Sequence, residues 1–234
     1  MFVLAVHSTT PYLSVAATGE DRVLCENVLP PGREHLENLA PMIASLMREA
    51  RIELEQVDGF AVAKGPGSFS GIRVGMAVVK GMALALGKPV AGISSLEIMA
   101  WQALKPGERG LAVIDARRDE LYAALYAKES ERLELLDGPI LVSRANLKNS
   151  VQPHEEGLIL CGDEVTEGLA DMGRHLIRRP VRVPSAAACG ILARQRFLNG
   201  EGDEIHSLTP LYIRRSDAEE NKNRSSASRV KHLS

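Results

Sequence analysis

Residues 59–86 read as a strand, a glycine-rich turn and a helix, and this run restricts the fold more than any other part of the chain. Gly59-Phe60-Ala61-Val62-Ala63 is a short apolar stretch of the kind that forms a buried strand. It leads through Lys64-Gly65-Pro66-Gly67-Ser68-Phe69-Ser70-Gly71 into a helix expected over 70–86. Strand, turn and helix N-terminus in that order bring free backbone N–H groups and the positive end of a helix dipole together, which suits an anion. Ser68 or Ser70 is placed to cap the helix by accepting one of those N–H bonds. The same glycines also suit a plain tight turn needing φ > 0. The pattern is neither a Walker A loop nor G-x-G-x-x-G. A strand over 89–93 completes a β-α-β unit with a right-handed crossover, and a short helix follows over 95–104.

The helix over 70–86 carries only two charges, Arg73 and Lys80, and is otherwise apolar on all sides. Gly71, Gly75, Ala77, Gly81, Ala83 and Ala85 would let another helix approach closely. Such a helix belongs deep in its own core or is shared with another subunit. Residues 33–50 also have a helical period, through Leu36, Leu39, Ala40, Ile43, Leu46, Met47 and Ala50. With Met42 and Ala44 the apolar arc covers about 200°, whereas one core needs a stripe of somewhat over ~100°. The excess predicts a second buried contact. Pro41, inside this helix, removes one backbone hydrogen bond and is expected to bend it. Paired, the two helices are expected to offer a face built from Leu36, Leu39, Ile43, Met47, Val74, Val78 and Met82, two such pairs closing into a four-helix bundle.

Before this unit, strands over 2–6, 12–17 and 22–29 predict an antiparallel meander. Its first turn, His7-Ser8-Thr9-Thr10-Pro11, sets three hydroxyls between two core strands, which suits a phosphate-touching loop or an ordinary polar hairpin. After it, Lys105-Pro106-Gly107-Glu108-Arg109-Gly110 is the best linker and marks a lobe boundary. The chain is therefore read as a lobe over 1–104, a second over 105–214 and a disordered polar tail over 215–234. In the second lobe, strands are expected over 111–114, 121–127, 131–136 and 158–161. A short helix capped by Ser143 runs through Leu147, another spans 165–172, and the last, over 185–199, packs back on the first lobe. An extended piece covers 208–214. Asp115 and Asp119, flanking the turn between two strands, read either as an acid pair or as solvated charges.

Composition narrows the function. With 234 residues, 45% apolar and 25% charged, the chain has the make-up of a globular protein rather than a disordered one. Aromatics at 4% leave little for a single-strand stacking platform, and a net charge of −2 provides no global field for nucleic acid. Cys25, Cys161 and Cys189 are widely spaced and odd in number, which fits a reducing compartment rather than a disulfide framework. No basic n-region precedes the apolar N-terminus, and no run approaches ~20 uninterrupted apolar residues, so a cytoplasmic location without a membrane span is expected. The six histidines include no H-x-x-x-H pair, and G-x-S-x-G is absent. No catalytic residue is nominated and no metal site is expected.

The motifs match a family. Gly65-Pro66-Gly67-Ser68-Phe69-Ser70-Gly71-Ile72-Arg73-Val74-Gly75 resembles the signature of the bacterial TsaB (YeaZ) proteins. Leu4-Ala5-Val6-His7-Ser8-Thr9-Thr10 resembles their first phosphate-type hairpin, and Glu34-His35-Leu36-Glu37-Asn38-Leu39-Ala40-Pro41-Met42-Ile43 their first helix. Asp115-Ala116-Arg117-Arg118-Asp119-Glu120-Leu121-Tyr122 and Pro210-Leu211-Tyr212-Ile213-Arg214 also match, so the likeness runs from residue 1 to about 215. The resemblance implies an α/β, actin-like ATPase fold (the ASKHA group) of two lobes, each a mixed β-sheet flanked by helices. It implies a non-catalytic partner of TsaD, the glycoprotease-like protein that transfers a threonylcarbamoyl group to the adenosine beside the anticodon of ANN-decoding tRNAs. The ATPase TsaE joins that assembly, tRNA is met only through the complex, and a homodimer forms when TsaD is absent.

The resemblance also implies Ser8, Thr9, Thr10, Gly65, Gly67 and Ser68 as nucleotide-contacting residues. No cofactor is required by this chain alone, with ATP or ADP held in the shared complex. In TsaD a metal-binding H-x-x-x-H follows the strand after the glycine-rich helix; here Ser95 and Met99 stand at those positions, a poor set for a hard metal. His7 stands where the family usually has an aspartate that organises Mg²⁺, so independent ATP hydrolysis is not expected. The competing readings are a stand-alone actin-like phosphotransferase and, more remotely, a metallopeptidase.

Overall fold

The apolar N-terminal runs form the expected meander. β1 (Val3–His7) pairs antiparallel with β2 (Leu13–Thr18), and β2 with β3 (Val23–Leu29). The computed structural model describes residues 1–20, 22–32, 37–150, 157–162, 169, 176–181 and 183–214, the side chains of 148–150 excepted. β4 (Gly59–Gly65) lies parallel to β1 and β5 (Val90–Ser94) parallel to β4, giving the order β3-β2-β1-β4-β5. α2 (Phe69–Leu86) makes the crossover between β4 and β5, one residue longer than expected. Strand side chains alternate between faces. Leu4 and Val6 of β1 therefore meet α2 and α1 (Leu39–Ala50), while Val3 and Ala5 meet α5 (Ala186–Leu198). Covered on both faces, β1 and β2 are buried along their whole length.

The second sheet has the order β10-β9-β6-β7-β8. β6 (Arg109–Arg117), β7 (Glu120–Glu129) and β8 (Arg132–Ser143) run antiparallel in sequence, while β9 (Ile159–Gly162) and β10 (Ile177–Pro180) add in parallel. α3 (Ser95–Ala103) packs on one face of this sheet through Leu96, Met99, Ala100 and Ala103. Ser143 caps α4 (Arg144–Ser150), accepting the Asn146 N–H at 3.2 Å. The linker stretch is pinned rather than loose. Lys105 N–H donates to Glu108, and the Glu108 carboxylate takes two bonds from Arg179 of β10, at 2.5 and 2.9 Å.

Several expectations change. α1 is described from Leu39, and residues 33–36, including Leu36, lie outside the described residues. Pro41 consequently sits in the first turn of α1, where its missing N–H has no intrahelical partner to lose, so the predicted bend has no cause. β8 runs well past residue 136. β10 was not anticipated, because Ile177-Arg178-Arg179-Pro180 carries no apolar alternation. The helix expected over 165–172, apart from Leu169, and the tail over 215–234 lie outside the described residues.

The chain after α5 returns along the first sheet. Asp203 N–H donates to Val90 O at 2.8 Å and its carboxylate accepts the Gly92 N–H at 2.7 Å, which covers the open edge of β5. Residues 208–214 then form a strap. Lys80 Nζ holds Leu208 O at 3.0 Å, Leu211 N–H donates to Lys64 O at 2.7 Å, and Arg214 donates to Ala116 O and Glu120 on the second sheet.

Candidate functional site

The glycine-rich turn and the β1–β2 loop close directly on each other. Ser68 caps α2 by accepting the Gly71 N–H at 3.3 Å, and its own N–H donates to Thr9 O at 2.7 Å. Ser8 Oγ donates to Gly71 O at 2.8 Å, and Thr9 Oγ1 shares a 2.7 Å bond with Ser95 Oγ. The approach is so close that a Cβ on Gly67 would lie 2.1 Å from Thr9 O, and one on Gly71 1.8 Å from Ser8 O. Glycine is needed here because another backbone occupies the space. Over Gly65, Leu211 O of the strap takes the same kind of position, 2.9 Å from a built Cβ.

The structure places the expected phosphate-contacting set at this junction. Ser8, Thr9 and Thr10 are 1%, 1% and 8% exposed, and the first two hydroxyls are committed to interior partners. Thr10 Oγ1 makes only a long 3.4 Å bond to Tyr12 O. Gly65, Gly67 and Ser68 gather at the same turn, where Leu211 O lies against Gly65 and Thr9 O against Gly67, while Ser68 is exposed. The physical reason is that hydroxyls on a tight loop between two buried strands turn inward where the neighbouring loop supplies acceptors.

His7 is fully buried at the end of β1, and burial lowers its pKa to about 4, so the ring is neutral. Its Nε2 lies 3.2 Å from Thr9 Oγ1, and its Nδ1 has no hydrogen-bond partner among the described residues. A neutral imidazole inside the core supplies neither the charge nor the geometry for Mg²⁺. Ser95 and Met99 are likewise 0% exposed, with Met99 packed in the core between α3 and the second sheet. A hydroxyl bonded to Thr9 and a buried thioether do not fit a metal site. Among the described residues no three His, Cys, Asp or Glu side chains gather at one point.

The predicted partner face is also redrawn. Leu39, Ile43 and Met47 are 1%, 7% and 9% exposed and belong to the chain's own core with Leu4, Leu13 and Val15. The large side chains of the α1 arc are used against the sheet, while Ala40 and Ala44 of the same arc stay exposed on its outer side with Pro41, Ser45, Arg48 and Glu49. Val74, Val78 and Met82 are half-buried against the same core. The free side of α2 lies one residue earlier, about 100° round the helix, at Arg73, Ala77, Gly81 and Leu84. Small residues four apart were the available signal, but the sequence does not say which stripe of an all-apolar helix meets its own sheet. α2 is the one helix among the described residues long and apolar enough to cross a membrane, with mean hydropathy 1.5, yet one side of it packs on the first sheet.

Other candidates resolve into structural contacts. Arg144 faces both Asp115 and Asp119 at 3.4 Å, so the two acids share a cation rather than a substrate. A cavity of about 870 Å³ opens between α3, the C-terminal half of α5 and the β7–β8 turn. Its central charges, Glu97 and Arg196, form a two-bond ion pair at 2.8 and 2.9 Å. None of the predicted site residues lines it.

Comparison with known proteins gives a consistent result. The family model described as TsaD, tRNA N6-adenosine threonylcarbamoyltransferase, matches residues 28–172. The TsaB tRNA threonylcarbamoyladenosine biosynthesis protein of Escherichia coli K12 is 31% identical over 93% of this chain and 96% of its own length. The structure of YeaZ from Pseudomonas aeruginosa superposes with a TM-score of 0.79 at 29% identity, covering 90% of this chain and 99% of that one. A ROK hexokinase from Thermus thermophilus, at TM-score 0.50 and 13% identity over 86% of this chain and all of its own, shares the fold.

Proposed function

The chain belongs to the TsaB (YeaZ) family, with the two-lobe actin-like fold, and we propose that it is the accessory subunit of a TsaD-type transferase in tRNA threonylcarbamoyladenosine biosynthesis. One observation carries this reading: α2 carries only two charges, Arg73 and Lys80, yet the side of it running through Ala77, Gly81 and Leu84 is exposed. A large apolar surface on a globular protein marks an interaction site. The natural occupant is a protein with the same helix pair, because two like surfaces pack about a pseudo-two-fold axis. The transferase family model spans both α1 and α2 here, so a TsaD-type partner carries that unit.

The chain itself is non-catalytic in this reading. His7, Ser95 and Met99 do not make a fitting metal centre, and the Ser8 and Thr9 hydroxyls bond to Gly71 O and Ser95. ATP or ADP belongs to the shared complex, TsaE joins it, and tRNA is met through it. The lobes divide at 1–104 and 105–214, with α5 belonging by packing to the first. The site of action is the cytoplasm.

The test is reconstitution with purified TsaD, TsaE, the threonylcarbamoyl-adenylate synthase and an ANN-decoding tRNA. Modification is expected only when this chain and TsaD are both present, and Gly81→Leu, which sets a bulky side chain on the free face, should abolish complex formation. Modification at full rate without this chain, or by this chain without TsaD, would overturn the proposal.

A further inference from the structure

At the N-terminal end of the free face of α2, three side chains are locked together in the open. Phe69, the first residue of α2, stacks on Tyr212 of the strap with ring centres 4.9 Å apart and planes 25° apart. Arg73, one turn on, lies over the Phe69 ring at 3.9 Å and donates from Nε to the Tyr212 hydroxyl at 3.0 Å. Phe69 and Tyr212 nevertheless remain 37% and 39% exposed. At the other end of the same face stands Leu84, 63% exposed. Arg73 and Leu84 are eleven residues apart, three helical turns or about 16 Å, and within roughly 20° of each other around the axis. Between them the face carries only Ala77 and Gly81. The face thus has an aromatic platform at one end, a projecting aliphatic side chain at the other and a shallow middle.

We propose that the Phe69–Arg73–Tyr212 cluster is the anchor of the partner interface, and that it receives the apolar side chain at the C-terminal end of the partner's equivalent helix. The inference rests on the reading of this chain as a TsaD-type partner and adds residues outside the two helices to it. An antiparallel crossing centred on Ala77 and Gly81 is the arrangement that uses both ends of the face. It sets Leu84 against the partner's platform and the partner's counterpart of Leu84 against Phe69 and Tyr212. The occupant is an equivalent helix because the shape is complementary to itself, and the transferase family model covers all of α2. Aromatic and arginine side chains dominate interface energetics, and a cluster already fixed by stacking and a hydrogen bond loses little freedom on docking. Arg73 keeps its two terminal nitrogens for the carbonyl groups at a helix C-terminus, where the dipole is negative. The strap thereby becomes part of the docking surface, held in place by Lys64 O and Lys80.

The experiment measures affinity for purified TsaD by titration calorimetry, with the melting temperature of each free variant. Leu84→Ala alters an exposed helical position and should leave the free chain's melting temperature unchanged while weakening binding about tenfold or more. Tyr212→Ala should weaken it at least as much, and Tyr212→Phe, which keeps the stack but loses the Arg73 bond, by a few-fold. Gly81→Leu separates the two levels of inference. If it abolishes binding while Leu84→Ala and Tyr212→Ala bind within twofold of wild type, the anchor assignment is wrong and the helix reading stands. If Gly81→Leu also binds normally, the helix reading falls with it. Should Tyr212→Ala fail to fold, Leu84→Ala decides alone.

Discussion

Replacing Gly71 by alanine sets two effects of opposite sign against each other, and the structure says which wins. In an exposed helix interior Gly→Ala stabilises by about 1 kcal/mol. At Gly71 the new Cβ would sit 1.8 Å from Ser8 O, a backbone atom that cannot rotate aside. Reaching an ordinary carbon–oxygen contact of about 3.3 Å means moving the β1–β2 loop and α2 apart by about 1.5 Å. That separation breaks the Ser8 Oγ bond to Gly71 O, 2.8 Å long, and the Ser68 N–H bond to Thr9 O, 2.7 Å long. Each leaves a buried polar group without a partner, at about 1–3 kcal/mol. The net expectation is a loss of about 1–5 kcal/mol, read as a lower urea midpoint by circular dichroism with an unchanged denaturant slope. Gly81→Ala is the matched control, since its Cβ meets nothing within 4 Å. It should gain about 0.5–1 kcal/mol. A neutral or stabilised Gly71→Ala would refute the closed packing of the two loops.

Acid should destabilise the protein through His7. Its folded pKa, about 4, lies below the ordinary 6.5, so the unfolded chain binds the extra proton and stability falls as pH drops from 6.5 to 4, by about 3 kcal/mol in all. His7→Asn should flatten urea midpoints across that window, and an unchanged slope would count against a neutral buried imidazole. Burial pushes the Cys161 thiol up to about 12 and the Cys189 thiol higher still, whereas Cys25 is only half-buried. A thiol reagent at pH 8 should label Cys25 first and the other two only on unfolding; three equal rates would contradict this. One oxygen of Glu26 accepts from Ser14 Oγ, Ser185 Oγ and Ala187 N, tying the start of α5 to β2 and β3. Glu26→Ala should cost about 2–4 kcal/mol and Glu26→Gln, which retains an acceptor oxygen, about 1 or less; equal losses would mean that the negative charge, not the acceptor, matters.

The packing also bears on the turn that looks made for phosphate. An anion site at a helix N-terminus needs its N–H groups open to the ligand. Here the Ser68 N–H is answered by Thr9 O and the Gly71 N–H by Ser68 Oγ, so two of the donors at the start of α2 already have acceptors. The arrangement suits a scaffold whose lobe geometry is set before any ligand arrives.

Elements whose signals are local were legible in the chain itself. The meander at the N-terminus, the strand–turn–helix over 59–86, the Ser143 cap and the last helix from Ser185 to Asn199 all follow from period, capping and turn chemistry between near neighbours. The glycine-rich turn was visible as a site of close backbone approach or of an anion, but not which. That depended on Thr9, some sixty residues away, delivering its carbonyl to the same spot. Likewise the width of the apolar arc of α1 does not say which part of it meets the sheet; packing assigns Leu39, Ile43 and Met47 to the core and leaves Ala40 and Ala44 exposed. On α2, where only Arg73 and Lys80 are charged, periodicity gives no clear polar side to mark the outside, so packing decides that Val74 and Val78 turn inward while Ala77 and Gly81 stay free. The Phe69–Arg73–Tyr212 cluster unites residues up to 143 positions apart. Sequence patterns report what a residue's neighbours along the chain demand, whereas orientation is set by whichever distant surface arrives to cover it.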